Sequence, residues 1–177
     1  MLGGLVTARL ALVMAFVAAA CGPAWAGQKL AIFPIDMSMP KSEEDFFKGV
    51  TGPTEAEQTR LSMAEAELKK RLGDDARYEL IDLSPLKDDI KAVRPIFECN
   101  GCEIDIAAKA KADLAMTSVV EKISETHLSL TIAIIDVANS KLVSNASVLI
   151  QGNTDESWLH GVRWLVKNRL LAKEDAK

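Results

Sequence analysis

The chain has 177 residues, 49% of them hydrophobic, with 21 basic against 25 acidic side chains and a formal net charge of −4. That is the size of one ordinary domain, large enough to bury a core without metals or many disulfides. Lysines interleaved with Glu and Asp, and no basic cluster beside stacking aromatics, argue against a nucleic-acid partner.

The amino terminus, MLGGLVTARLALVMAFVAAACGPAWA, has one positive charge at Arg9, an apolar run from Leu10 to Ala20 and a small-x-small ending at Ala24, Trp25 and Ala26. This is the layout of an export signal. Cleavage after Ala26 leaves residues 27–177 as a single periplasmic domain with 20 basic and 25 acidic side chains. The apolar run is shorter than the roughly 20 residues of a membrane helix. A competing cut lies before Cys21, where AAAC resembles a lipoprotein processing site, and only lipid on Cys21 would tether the chain to a membrane.

KLAIFPIDMS (29–38) is a short apolar run ending in turn formers, a mostly buried first strand. Pro34 cannot donate to a ladder, so the strand is at an edge or bulged there. Residues 39–53 have no sustained period and form a loop. In TEAEQTRLSMAEAELKKRLG, Thr54 and Glu57 make a capping box, Leu61, Leu68 and Leu72 share a helical face, and Gly73 supplies the stop. RYELIDL (77–83) is a second strand, LKDDIKAV a turn or two of helix closed before Pro95, and EIDIAAKAKA (103–112) a short helix.

DLAMTSVVEKIS, HLSLTIAIIDV and LVSNASVLIQG are β-rich. The second alternates Leu128, Leu130, Ile132 and Ile134 with Ser129, Thr131 and Ala133, the period of a half-buried antiparallel strand. Residues 138–141, ANSK, make a hairpin turn in which Asn tolerates positive φ. The last helix caps at Thr154 or Asp155 and carries Trp158, Leu159, Val162, Leu165 and Val166 on one stripe. The order is β-α-β-α-β-β-β-α in one α+β (mixed α/β) domain, a mixed sheet with an antiparallel C-terminal meander covered by helices.

LAIFPIDMS after a leader, CEIDIAAKAKADLAMTSVVEKIS, LTIAIIDVANSKLV and a closing helix together resemble the fold shared by the amino-terminal domain of TolB and curli-secretion-type periplasmic domains. IQGNTDESWLHGVRWLVKNRLL is similar to an uncharacterised family of small exported proteobacterial proteins. The resemblance implies a periplasmic domain that docks onto other envelope components, and it transfers no catalytic residue. The chain lacks TolB's propeller and the membrane hairpins of a curli channel subunit, so neither whole-protein function carries over.

Cys99 and Cys102, in ECNGCEI, flank a tight Asn-Gly turn ahead of a helix. A thiolate near a helix amino terminus is stabilised, as in redox C-x-x-C proteins. In an exported chain a pair of cysteines more commonly forms a structural disulfide. His127 and His160, far from the cysteines in sequence, complete no zinc pattern, so no metal site and no cofactor are expected. Asp36, Asp82, Asp105 and Asp136 fall at element ends, where turn and capping duties account for them. No nucleophile elbow, dinucleotide fingerprint or P-loop occurs.

The loop SEEDFFKGVTGP is long for a βα connection. It sets Glu43, Glu44 and Asp45 beside Phe46 and Phe47, a partner surface or a lid over a cleft, unless both rings tuck under the sheet. Trp164 sits 240° around the last helix from Trp158 at 3.6 residues per turn, which leaves Trp158 to the core and Trp164 to a boundary or exposed docking position. The leading expectation is a non-enzymatic periplasmic accessory domain docking on another envelope protein. The alternatives are a thiol-disulfide or metal-handling factor centred on Cys99 and Cys102, and a small-ligand-binding domain.

Overall fold

The computed structural model describes residues 27–39 and 52–172. The leader with Cys21, and the loop residues Glu43, Glu44, Asp45, Phe46 and Phe47, lie outside the described residues. In chain order the elements are β1 (Gln28–Ile32), β2 (Asp36–Ser38), α1 (Glu55–Gly73), β3 (Tyr78–Ile81), α2 (Lys87–Val93), α3 (Cys102–Lys109), β4 (Leu114–Lys122), β5 (His127–Asp136), β6 (Lys141–Gln151) and α4 (Asp155–Leu165). Single turns at Ser84–Leu86 and Ile96–Glu98 flank α2, and Val166–Leu170 continues α4. The expected mixed α+β order is the observed one.

The strands form one sheet in the order β3-β1-β4-β5-β6, with β2 also pairing β4. β1 runs parallel to β3 and β4, whereas β4, β5 and β6 form an antiparallel meander. β1 therefore lies inside the sheet, and the proline in the segment after it is accommodated by a bulge, not by an edge. Ile32 pairs with Met116 and Asp36 with Val119, so the first strand uses one residue more than β4 over this stretch. An extra residue reverses the in-out alternation of everything beyond it. Leu30 and Ile32 enter one core and Ala31 and Phe33 the other; past the bulge Ile35 and Met37 join the first.

That first core lies under α1 and α4 and takes in Leu128, Leu130, Ile132 and Ile134 of β5. The second lies under α2 and α3, around Ala31, Phe33, Ile96, Ile106 and Ala115. Thr54 and Glu57 form the expected capping box at the start of α1. Gly73 does not act as a left-handed stop: it is the last helical residue, and Asp74 closes α1 in right-handed geometry. In the β5–β6 hairpin the positive φ falls on Ser140, at 56°, and not on Asn139, which instead accepts the Lys141 N–H through its side chain.

Glu57 also has a second duty. Its carboxylate is buried and accepts from the Thr54 N–H at 2.9 Å, the Asn153 side chain at 3.1 Å and Lys122 Nζ at 2.9 Å. One carboxylate thus joins the start of α1, the end of β4 and the turn before α4. Burial pushes its pKa up, but the Thr54 N–H, Lys122, the Thr54 hydroxyl and Asn153 outweigh burial and pull it from the ordinary 4.5 to about 2.

α4, capped by Thr154, buries Trp158, Gly161, Val162 and Leu165, with Leu159 half-buried beside them. Gly161 lets the helix approach β6 closely: a Cβ there would lie 2.7 Å from Cγ1 of buried Ile150. Gly161→Val should lower stability by about 1–3 kcal/mol through overpacking, read as a lower midpoint in urea unfolding. Because the folded pKa of Glu57 is depressed, its contribution is fully present above pH 4.5 and is lost as pH falls toward 2. That contribution is about 3 kcal/mol, and Glu57→Gln should flatten the corresponding part of the acid-unfolding profile.

Candidate functional site

The sequence directs attention to the cysteine turn, and the bulge explains how the turn is held. By reversing the alternation, the bulge points Asp36 to the α2–α3 side of the sheet, where it is 3% exposed. There Asp36 Oδ1 accepts from Arg94 Nη2 at 2.6 Å and Nε at 2.8 Å, and Oδ2 accepts the Ile96 N–H. Arg94 also donates to the Ile35 carbonyl at 3.3 Å. This corrects the expectation that Asp36 serves a turn: it is a buried anchor for residues 94–96. Asp82 and Asp136 do serve turns, accepting the Ser84 N–H and the Ala138 and Asn139 N–H groups.

Ile96 fills the second core, and the Cys99 N–H bonds back to its carbonyl at 3.1 Å. Asn100 and Gly101 complete the turn, with Gly101 at φ 94°, a left-handed conformation that glycine adopts without steric cost. The Gly101 carbonyl accepts the N–H groups of Ile104 and Asp105, which starts α3. Cys99 and Cys102 are joined in a disulfide with Cα atoms 5.9 Å apart, half-buried against the second core.

The polarity of this pair differs from a thiolate-stabilising arrangement in one respect. Cys102, not Cys99, opens the helix, and Glu103 Oε2 lies 3.4 Å from Cys99 Sγ. Once reduced, the two sulfurs and the Glu103 carboxylate, whose ligand atoms all lie within 4.8 Å of one another, could offer three ligands to a soft divalent cation. Neither histidine joins them. His160 is on α4, over the other core, and His127 opens β5 in an exposed turn, its Nδ1 3.0 Å from Thr126 Oγ1 and 3.4 Å from Ser124 Oγ. Ser124 Oγ accepts the His127 N–H at 3.1 Å, a local turn contact.

The second feature is the uneven cover of the sheet. On the α2–α3 side the helices pack over Ala31 and Ala115, but Thr117, Val119, Ser129, Thr131, Ala133 and Ile135 stay half-exposed. Beside this open face Leu142, Val143 and Leu149 of β6 are each more than half exposed. Cross-strand pairing of Ser129 with Leu149 and of Ile135 with Leu142 places those leucines on the same face. Alternation of residue types in β5 shows the two faces in the sequence; among the described residues α2 and α3 end short of the polar one.

Around the β6 edge a groove of about 550 Å³ runs between the strand and α4, lined by Val148, Gln151, Ser157, His160 and Trp164 among others. Trp158 is fully buried and donates its indole N–H to Asn153 at 3.0 Å, whereas Trp164 is 39% exposed at the groove rim. The Arg169 guanidinium stacks 5.6 Å from the Trp164 ring, and Arg163 turns away to Glu67 on α1 at 2.8 Å. The structure thus separates the cysteine turn, beneath α3, from the Trp164 rim, beside α4.

These features define a class: an α+β domain with a mixed sheet, helices over all of one face and half of the other, and a disulfide-braced turn, in which no catalytic group is assembled among the described residues. The chain belongs to the family described as "Protein of unknown function (DUF2380)", whose model, DUF3280, matches residues 28–170. No curated protein matches it in sequence. Among solved structures it is similar to the LpoB C-terminal domain from Salmonella enterica, at 14% identity, 71% of this chain, 84% of that chain and a TM-score of 0.50. It also matches the PelC dodecamer from Paraburkholderia phytofirmans at 12% identity, 80% of this chain, 86% of that chain and a TM-score of 0.46. TolB from Acinetobacter baumannii matches at 9% identity, 82% of this chain, 28% of that chain and a TM-score of 0.41. At such identities the LpoB likeness is one of fold.

The cysteine turn makes a small closed loop, so replacing both residues, Cys99→Ser with Cys102→Ser, should cost no more than about 2 kcal/mol in the chain-entropy account. The double variant should keep the wild-type circular dichroism spectrum and show only a modest fall in thermal midpoint.

Proposed function

We propose that this chain is a non-enzymatic accessory domain that acts in the periplasm after export and docks on another cell-envelope protein. The observation that carries the reading is the open half of the sheet, a polar-and-small face rimmed by Leu142, Val143 and Leu149 and left uncovered by α2 and α3. The exposed apolar side chains of Leu142, Val143 and Leu149 beside that polar face suit contact with another macromolecule. Among the described residues no helix is long and apolar enough to cross a membrane. Trp164 at the α4 rim, and Glu43, Glu44, Asp45, Phe46 and Phe47 in the long loop, are further contact positions in this proposal.

A second reading, a thiol-disulfide or metal-handling factor, is favoured only by the proximity of Glu103 to the two sulfurs. Under the accessory reading the disulfide holds the start of α3 and resists a mild thiol; under the second, dithiothreitol should reduce it readily and the reduced protein should bind zinc.

The accessory reading is tested by cross-linking in cells that carry the tagged chain. Thr131→Arg, in the middle of the open face, should abolish the cross-linked envelope protein without lowering the amount of folded chain. Trp164→Ala and deletion of residues 42–52 should each weaken the product severalfold if those surfaces contribute. An unchanged cross-link pattern for Thr131→Arg would remove the open face from the proposal.

A further inference from the structure

We propose that two copies of this chain pair through β6, edge to edge and antiparallel, to make one continuous sheet. Among the described residues the strand order ends at β3 and β6, and the three-residue β2 pairs with β4 alone. β3 is protected by the usual means: it is four residues long, carries Glu79, and follows Arg77. β6 is eleven residues long, and after Lys141 no charged side chain or proline occurs in it through Gln151. Its ladder to β5 is interrupted at Val143, which is skipped between Leu142, opposite Ile135, and Ser144, opposite Ile134. A long edge with unpaired backbone groups and no charge is a template for another strand.

The residues select the occupant. An edge without charge opposes no like charges when it meets itself, and it has nothing with which to prefer a charged foreign strand. In an antiparallel pair, residues directly opposite one another share a face. Among the self-pairing registers that respect this rule, a two-fold axis through Ala146 sets Leu149 of each copy against Val143 of the other. Asn145 then opposes Ser147. Leu149 and Val143 are 52% and 59% exposed, so this register pairs two of the largest exposed apolar groups of the edge, twice. Along Val148–Gln151 a groove lies beside the strand, walled on its other side by Ser157, His160 and Trp164 of α4. Self-pairing shares Val143 and Leu149 with the rim of the proposed docking face but does not rest on that reading: it uses the backbone of the β6 edge, and Thr117, Thr131 and Ala133 stay outside the pairing.

Sedimentation velocity of the purified protein across a concentration series tests the pairing, with two double variants at exposed positions. Asn145→Lys with Ser147→Lys puts like charges opposite one another at both crossings and should raise the dimer dissociation constant at least about tenfold. Asn145→Glu with Ser147→Lys puts opposite charges there and should keep it within about threefold of the wild type. A wild type that stays monomeric overturns the proposal and leaves the edge to a strand of another protein. A dimer unaffected by the double-lysine variant, or lost in both variants, overturns it as well. Hydrogen exchange on the unaltered protein is a readout that needs no substitution: amides within 144–148 should gain protection as concentration rises, and protection independent of concentration would overturn the pairing.

Discussion

The extra residue between Ile32 and Asp36 is the constraint on which the second half of the structure depends. Without it, strand alternation would point Asp36 into the apolar core beneath α1 and α4, where an unpaired carboxylate costs several kcal/mol. With it, Asp36 meets Arg94 and the Ile96 N–H on the other side of the sheet, and Met37 takes the core position. Residues 94–98 are fixed by that carboxylate, and the cysteine turn and the start of α3 follow from them. The bulge is thus a means of placing a charge, and the disulfide completes a turn whose entry is already determined.

Glu57 has the corresponding role on the opposite face. It caps α1, receives Lys122 from β4 and holds Asn153, which in turn accepts the indole N–H of Trp158. Two buried carboxylates therefore tie the helices to the sheet, one on each side. They differ in what they secure. Glu57 closes a side covered from β1 to β6, whereas Asp36 secures a shorter layer that stops at β4. Among the described residues the half of that face formed by β5 and β6 lies beyond the reach of this shorter layer.

Much of the fold was legible because its signals are local. The capping box, the period-two run in β5 and the apolar stripe of α4 each lie within one element, and Trp158 and Trp164 separate into core and rim by helical angle alone. Asp36 was not legible, because alternation read along one strand cannot reveal an extra residue that is defined only against β4. The sequence shows Glu57 as a cap but not its ion pair, since Lys122 lies 65 positions away in the chain. Gly73 and Asn139 were assigned conformations that other residues or geometries supplied, because the nearest turn former is not always the residue that bends. The open face could be read as polar from Ser129, Thr131 and Ala133, but whether a helix covers it depends on where α2 and α3 end.

The pairing of β1 with β4 also bears on how the molecule assembles. β5 and β6 are joined by a four-residue turn, so their ladder closes with little loss of chain entropy, whereas Leu30 meets Leu114 across 84 positions. Sequence separation favours closing the meander first as a scaffold, with the amino-terminal strand entering between β3 and β4 afterwards. Until it arrives the flanks of both neighbours are unpaired, and this interval is when the nascent molecule is most open to misassociation.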